Sequence, residues 1–532
     1  MSGDWSQLSG SRVSRRTLLK FSTGAVTAAA LGACSATDSN GSGGAGKRGG
    51  QLVAAWNLDK FTTLDPQLVV GSDQMSMLIN VCEGLTRLTP TLEVEGALAE
   101  SWEVSPDGLT YTFKLRRGVK WHNGDDFSAQ DMVFTYERGS DPALGSPSVS
   151  GLVAISDVKA PDEQTLVFQL KQPFAPFLTT VTGMPGRILS PVNKRALEEM
   201  GPEAYGVEPV GTGPFRISEH QAGDHLTLVR FEDYWDSRYP LLDEVRIDLI
   251  PEPSTVQSAL LSGDIQFANL IQPQSFSALE RSSNVQTLSV PGVNWRGQWL
   301  NYKSADAPFL ADPRVRLAFA KAVDREGLVE KGLFDQGDVG YGVYNLAVKW
   351  AYREDVPQTL AYDPEGAKRL LSDADATGVS VEFMTNPGFQ RSDEVLADML
   401  SQIGVDVSLD LVETSVYAAR GYTASEYQMM HSGSAADPDP DDSVYNYFHS
   451  DGAFNTYSYS SEKADELITR QREAVDRAGR TAALGELEDL LINDVASAFS
   501  YHTRDLVGMS QSITGYENVP ELRSFRTMAL GE

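Results

Sequence analysis

Hydrophobic and polar residues follow two different periods along this chain, and segments of the two kinds alternate. The segments LTYTFKLR (109–116) and TLVFQL (165–170) have the pattern that predicts strands. The segment SAQDMVFTYERG (128–139) has helical spacing behind a Ser–Asp capping pair, and PRVRLAFAKAVD (313–324) has it behind a first-turn proline. We predict two further helices near residues 461–476 and 480–495.

One part of the chain predicts how its strands are arranged. The apolar segments VSVEFMT (379–385) and VDVSLDLVE (405–413) enclose a helical segment, RSDEVLADMLSQIG (391–404). A strand–helix–strand unit favours parallel strands, because the helix carries the chain back to the start of the sheet. The fold class is therefore α/β. A chain of 532 residues is too long for one compact core, so we expect at least two domains.

The N-terminal region predicts export. The segment SRRTLLK contains an arginine pair, a short apolar segment follows, and LGAC ends at Cys34. This order resembles a twin-arginine secretion signal that ends at a bacterial lipoprotein cleavage site. We predict a signal peptide at 1–33, lipid on Cys34, and a Gly- and Ser-rich flexible tether at 34–49. The apolar segment is too short to span a bilayer comfortably.

Charge and cysteine content narrow the range of partners. A net charge of −29 repels a phosphate backbone, which argues against nucleic acid as a partner. The chain has two cysteines, so lipid on Cys34 would leave Cys82 without a partner for an intrachain disulfide. Because Cys82 lies in the apolar sequence LINVCEGL, we interpret it as a core residue.

Compact catalytic and metal-binding motifs are missing from the sequence. The six histidines form no HExxH pair, and no GxSxG nucleophile motif occurs. The sequence WHNGD (121–125) has the residue types of an active centre, but the surrounding pattern predicts a strand, a turn and a capped helix. We therefore predict no catalytic residue, no metal site and no cofactor. A surface hydrolase is the alternative, since catalytic groups can meet through folding.

Segments in order along most of the chain resemble one protein family. LAESWEVSPDGLTYTFKLRRGVKWHNGDDFSAQDMVFTYER (98–138), PVGTGPFRI (209–217), PFLADPRVRLAFAKAVDRE (308–326) and ADPDPDD (436–442) carry the resemblance. They are similar to landmarks of the family 5 extracellular solute-binding proteins, the peptide- and nickel-type receptors of ABC importers. The resemblance implies a two-lobed, periplasmic-binding-protein-like (type II) fold with an inserted subdomain in the first lobe.

The same resemblance implies domain boundaries and partners. The inserted subdomain would be 85–207, lobe II would be 293–498, and lobe I would combine 50–84, 208–292 and 499–532. Crossings near residues 291–292 and 499–501 would act as hinges on which the lobes close around a solute. We expect a monomer that is lipid-anchored outside the cytoplasm, in the periplasmic space or on the outer face of the membrane. It would pass its ligand to an ABC permease and ATPase complex.

Ligand contacts are implied in three segments. Asp437 matches the carboxylate that holds the α-ammonium of the ligand in peptide-binding relatives, although Ser434 stands where relatives often have Trp. Trp295 would stack on the ligand and Arg296 would bind a carboxylate; packing in the hinge or core is the alternative for Trp295. Gly71 and Ser72 would offer backbone and hydroxyl groups, or would simply cap a helix.

The acidic segment ADPDPDD also resembles a calcium loop, but its details do not fit one. A calcium loop needs Gly at its sixth position and Glu at its twelfth, where this chain has Asp442 and Phe448. We therefore predict that Asp439, Asp441 and Asp442 shape the loop or cap the following helix.

The ligand class has three alternatives. A di- or oligopeptide is the first hypothesis, because Asp437 is in place. An oligosaccharide would use Trp56 and Trp295 as aromatic platforms, and a nickel complex would use His431, which lies close to the acidic loop. A receptor that feeds signalling instead of transport is a further alternative.

Overall fold

The computed structural model describes residues 48–56, 58, 60–61, 63–69, 72–146, 152–182, 189–434 and 438–531. Cys34 and the predicted signal peptide lie outside these residues, as do Gly71 and Asp437. The described strands, in chain order, are β1 Gln51–Trp56, β2 Thr86–Leu88, β3 Val94–Gly96, β4 Ala99–Val104, β5 Thr110–Leu115, β6 Ile155–Asp162, β7 Thr165–Leu170, β8 Phe215–Gln221, β9 His225–Arg230, β10 Glu244–Leu249, β11 Phe267–Ala268, β12 Val285–Leu300, β13 Gly337–Val339, β14 Ser380–Thr385, β15 Asp406–Leu411, β16 Met429–Gly433, β17 Ala498–Ser510, β18 Ile513–Thr514 and β19 Ala529–Leu530.

The α-helices of the same part of the chain lie between these strands. They are α1 Ser72–Leu78, α2 Ala129–Ser140, α3 Phe177–Thr180, α4 Lys194–Met200, α5 Pro202–Tyr205, α6 Pro253–Ser262, α7 Pro273–Glu280, α8 Pro313–Lys321, α9 Arg325–Leu333, α10 Pro364–Asp373, α11 Gln390–Gln402, α12 Thr414–Ala418, α13 Pro440–Phe448, α14 Glu462–Arg472 and α15 Arg477–Asn493. Within the described residues, no helix combines the length and the apolar character that crossing a membrane requires.

The elements predicted from periodicity are confirmed. The two alternating segments form β5 and β7, and the capping pair before α2 has Ser128 and Asp131 bonded to each other's backbone. β14, α11 and β15 form the predicted strand–helix–strand unit, and the two strands pair in parallel. Cys82 is buried, as predicted from its apolar surroundings.

The largest sheet in the described residues has eleven strands, and β12 and β17 lie at its centre. These two strands pair antiparallel from Val285 opposite Ser510 to Gln298 opposite Ala498. The pairing is interrupted between Pro291 and Trp295, where the register shifts. On one side the sheet continues through β11, β1, β10, β9 and β8, and on the other through β16, β14 and β15. Two halves of one sheet are thus joined through a single irregular strand pair.

A separate antiparallel sheet, in the order β4–β5–β7–β6, packs with α2 around its own core. Trp121 is fully buried in this core. The His122 ring accepts the Gly211 N–H at 3.2 Å and lies 3.0 Å from the Gly213 carbonyl. The WHNGD sequence thus ties this inserted subdomain to the strand that returns from it, in agreement with a structural interpretation.

Both ends of the described chain share one core. Trp56 from β1 packs against Phe267 and Phe525, whose ring centroids lie 6.4 and 5.8 Å away. Other cores collect residues from β12 through α15. This distribution fits a two-lobed fold in which lobe I is built from both chain ends. The individual domain boundaries given above stay predictions.

One buried carboxyl group makes the stability of this fold depend on pH. Glu488 on α15 is 1% exposed and accepts the N–H groups of Val343 and Tyr344 at 3.0 and 3.2 Å. Burial raises the pKa of Glu488 from 4.5 to about 7. The folded chain then holds this proton more tightly than the unfolded chain does, so the stabilisation is complete below pH 4.5 and falls as the pH rises toward 7.

We expect Glu488→Gln to remove much of this fall, because glutamine keeps the acceptor oxygen and does not ionise. The free energy of unfolding of the unmodified protein should decrease by roughly 3 kcal/mol at most across that interval. Urea unfolding at several pH values would measure it, with Glu486→Gln on the exposed face of the same helix as the control. An unchanged pH slope in Glu488→Gln would contradict this assignment.

Candidate functional site

The predicted ligand residues on β12 point in opposite directions, because successive side chains of a strand alternate between its faces. Trp295 is fully buried, and its ring lies 5.2 Å from Phe499 and 5.5 Å from Phe448. Asn294 and Arg296 take the other face. Trp295 therefore packs in a core, which is the alternative to ligand stacking that was considered above.

Arg296 holds the start of the acidic loop through hydrogen bonds. Its guanidinium donates hydrogen bonds to the backbone carbonyls of Ser434 and of Trp295, the second at 3.2 Å. The guanidinium also lies 5.8 Å from the centre of the Phe389 ring. Ser434 in turn accepts the backbone N–H of Trp295 through its hydroxyl group at 3.1 Å. The hydroxyl group of Ser434, at the position where relatives often have Trp, thus links β12 to the start of the loop.

Close approach of β12 and β16 leaves no room for a side chain at Gly433. A Cβ atom there would lie 1.9 Å from the carbonyl oxygen of Trp295. Gly433 pairs with Arg296 across the two strands. This contact sets where the chain leaves β16 and enters the segment 435–437, which carries Asp437 and lies outside the described residues.

The end of the acidic loop is held by two buried ion pairs. Asp439 is the N-cap of α13, accepts the Asp441 N–H at 2.9 Å, and pairs with Arg480 at 2.5 Å. Asp441 pairs with Arg472 at 2.8 Å. The prediction that these two aspartates cap the helix and shape the loop is confirmed. Asp442 lies in the first turn of α13, and its predicted role stays a prediction.

Contacts with the inserted subdomain reach the same loop. The hydroxyl group of Thr179 donates to Asp439 at 3.4 Å, and the backbone N–H of Ala175 donates to the Arg472 carbonyl at 2.7 Å. Arg472 also lies 5.3 Å from the centre of the Phe174 ring. The described residues on either side of 435–437 are therefore held by contacts from β12, from α14 and α15, and from the inserted subdomain.

His431 forms part of the support behind this loop. The side chain is fully buried, and its Nδ1 lies 2.5 Å from an oxygen of Asp393. Its Nε2 lies 3.2 Å from the Tyr501 hydroxyl, and Phe389 stacks on the ring at 4.4 Å. Both ring nitrogens are engaged by the protein, so this histidine offers no nitrogen to a nickel complex. Trp56 and Trp295, considered above as platforms for a sugar, likewise have both ring faces covered in cores.

The lobe I side of the site begins at α1. Ser72 is the first residue of this helix. The next residue, Asp73, accepts the Asn269 amide at 2.7 Å through its side chain and the Trp56 indole N–H at 2.9 Å through its backbone carbonyl. Burial raises the pKa of Asp73 above its usual value. The first turn of α1 is thus tied to β1 and to the residue that follows β11.

The C-terminal segment supplies one further group of residues, which no pattern in the sequence predicts. Glu521 accepts the side-chain amide of Asn294 at 2.9 Å, next to Arg296 on β12. Asp505 and Arg523 form a buried ion pair at 2.5 Å beside it, and the Arg523 Nε donates to the Asn269 carbonyl at 2.9 Å. Proximity to a predicted strand cannot be recognised in the sequence NVPELRS, because the contacts of Glu521 with Asn294 and of Arg523 with Asn269 join residues more than two hundred positions apart.

Comparisons with known proteins agree with this architecture. The sequence model of a family described as bacterial extracellular solute-binding proteins, family 5 Middle, matches residues 93–455. The glutathione-binding protein GsiB from Escherichia coli strain K12 is 28% identical over 468 residues, which cover 84% of this chain and 90% of that protein.

Two solved structures share the fold. One is the ABC transporter-associated periplasmic binding protein DppA from Helicobacter pylori in complex with peptide STSA, with a TM-score of 0.80, 26% identity, and coverage of 91% of this chain and 99% of that one. The other is the oligopeptide-binding protein AppA from Bacillus subtilis in complex with a nonapeptide, with a TM-score of 0.79, 23% identity, and coverage of 92% and 100%. Because the family match covers more than half of the chain, this protein belongs to the bacterial extracellular solute-binding proteins of family 5.

Proposed function

We propose that this protein is the substrate-binding component of an ABC importer and captures di- or oligopeptides between its two lobes. The support of the acidic loop carries the proposal. Arg296 binds the carbonyl before the segment 435–437, and Asp439 just after it is neutralised by Arg480. In the sequence, Asp437 stands between these two anchored positions, and its carboxylate would bind a cationic group of the ligand. Relatives that bind glutathione, peptide STSA and a nonapeptide support the ligand class.

The proposed contacts combine both lobes. Asp437 would hold the α-ammonium, Gly71 and Ser72 would bond the peptide backbone, and Arg296 would meet a ligand carboxylate while it clamps the loop. Trp295 would act from behind Arg296, by packing. Closure of the lobes would exclude water, which strengthens each charge-assisted hydrogen bond to the peptide. The receptor would then deliver the peptide to its permease and ATPase, and no step of this function requires catalysis or a cofactor.

We expect Asp437→Asn to weaken the binding of peptides that have a free amino end. Removing one partner of a desolvated ion pair costs about 2–5 kcal/mol, which is a loss of affinity of more than tenfold. Isothermal titration calorimetry with a peptide and its N-acetylated form would measure this. Asp451→Asn, an exposed position in the same lobe with the same change of charge, is the control. Equal affinity of Asp437→Asn and the unmodified protein would show that Asp437 is not the anchor.

We further propose that lipid on Cys34 holds the mature receptor to the membrane outside the cytoplasm, with 34–49 as its tether and the domain boundaries given above. It would act as a monomer, since the two lobes of one chain enclose the ligand.

Metabolic labelling with an alkyne fatty acid should mark the unmodified protein and a Cys82→Ala variant, but not Cys34→Ala. The last variant should leave the membrane fraction, because it has no residue to which the lipid can be attached. Cys82→Ala is a matched control because Cys82 is buried. Label on Cys34→Ala, or its persistence in membranes, would refute the anchor.

A further inference from the structure

Glu521 has a backbone conformation that its residue type disfavours. The Leu522 N–H bonds to the Val519 carbonyl at 2.9 Å and closes a turn with Pro520 and Glu521 at its centre. Glu521 has a φ of 65°, in the left-handed region that the third position of such a turn reserves for Gly or Asn. A residue of this kind is retained in a strained conformation where its side chain has a use.

The Glu521 carboxylate receives little compensation from the protein. Asn294 donates to it at 2.9 Å, whereas Arg523 is bonded to Asp505 at 2.5 and 3.1 Å. Within the described residues, the Glu521 carboxylate has no ion pair within 4.0 Å. Burial and the nearby Asp505 raise its pKa to about 7. A carboxyl group in this state gains from any cation that approaches it.

A second acceptor in the same group of residues lacks a partner. Asn269 is 3% exposed, and its Oδ1 accepts no hydrogen bond from the part of the chain that the structure describes. Its own amide nitrogen donates to Asp73, and its backbone carbonyl accepts from Arg523. A buried acceptor of this kind destabilises the fold unless a donor reaches it. The Asn269 oxygen and the Glu521 carboxylate would therefore both accept a hydrogen bond from the same kind of group, a positively charged donor.

The position of this group suits a ligand contact. Glu521 accepts a hydrogen bond from Asn294, which lies two residues before Arg296 on β12. Asp73, whose charge also acts on Glu521, follows directly after Ser72. This group of residues thus connects the lobe I segment and the hinge segment to which the proposed function assigns peptide binding. It is a separate group from the loop that carries Asp437, which follows β16 in the other lobe.

We propose that Glu521, to which Asn269 is linked through Arg523 and Asp505, is a specificity-determining ligand contact that accepts the ammonium or guanidinium group of a basic side chain. This inference rests on the proposed peptide-binding function and assigns a second cation site to it. A peptide with Lys or Arg at one position would place its α-ammonium at Asp437 and its side chain at Glu521. The gain over an uncharged side chain of equal length should be about tenfold in affinity.

The test uses tetra-alanine peptides with a single Lys at each of the four positions, and the matching set with norleucine, which has no charge. The unmodified protein should prefer Lys over norleucine by about tenfold at one position. Glu521→Gln should abolish this preference and leave the affinity for the norleucine peptide unchanged. Glu521→Gly, which suits the turn, is a second variant with the same expected result should Gln disturb folding.

The outcomes separate this inference from the function on which it rests. Equal affinities for Lys and norleucine at every position, or a preference that survives in both Glu521 variants, would overturn the role of Glu521 while peptide binding stands. Failure of the unmodified protein to bind any of the eight peptides, or longer ones, would reject the peptide function and this inference with it. In Asp437→Asn, the ratio of Lys to norleucine affinity should persist although both affinities fall.

Discussion

The antiparallel pairing of β12 with β17 is the constraint on which the rest of the structure depends. This pair joins the half-sheet of one lobe to the half-sheet of the other, and its register shifts between Pro291 and Trp295. A regular strand pair resists bending because each residue contributes to the ladder of hydrogen bonds, whereas a bulge breaks the ladder and bends it. The irregularity therefore gives the predicted hinge a physical basis, and it lies immediately before Arg296, one of the residues proposed to contact the ligand.

Among the described acidic residues near the proposed site, some form ion pairs with arginine and others do not. Asp439, Asp441 and Asp505 each pair with an arginine close by in the fold. Such pairs add little net stability, because desolvation offsets the attraction, but breaking one is costly. Their effect is to fix the positions of the described elements that they join. Glu521 differs, since within the described residues its carboxylate accepts the Asn294 amide and forms no ion pair within 4.0 Å.

Much of the fold was accessible from the sequence, and the reason is local. β5, β7 and α2 carry their periodicity and caps within a dozen residues, so neighbouring positions decide them. The parallel pair β14 and β15 followed from the helix between them. The site was less accessible. Alternation along β12 shows that Trp295 and Arg296 face opposite ways, but only the cores on each side decide which one is buried. The partners of Asp439 and Asp441 lie on α14 and α15, thirty or more residues away.

The backbone favours glycine at both Gly433 and Glu521, but for different reasons and with different outcomes. At Gly433 the restriction is satisfied: the approach of β16 to β12 excludes any side chain, and the chain has none. At Glu521 the restriction is violated: the turn favours glycine, yet the chain carries a charged side chain. Relieving the strain would require only the loss of a side chain, so packing alone does not account for its presence. A charged side chain in a turn that favours glycine therefore supports the proposal that the carboxylate is what this position supplies.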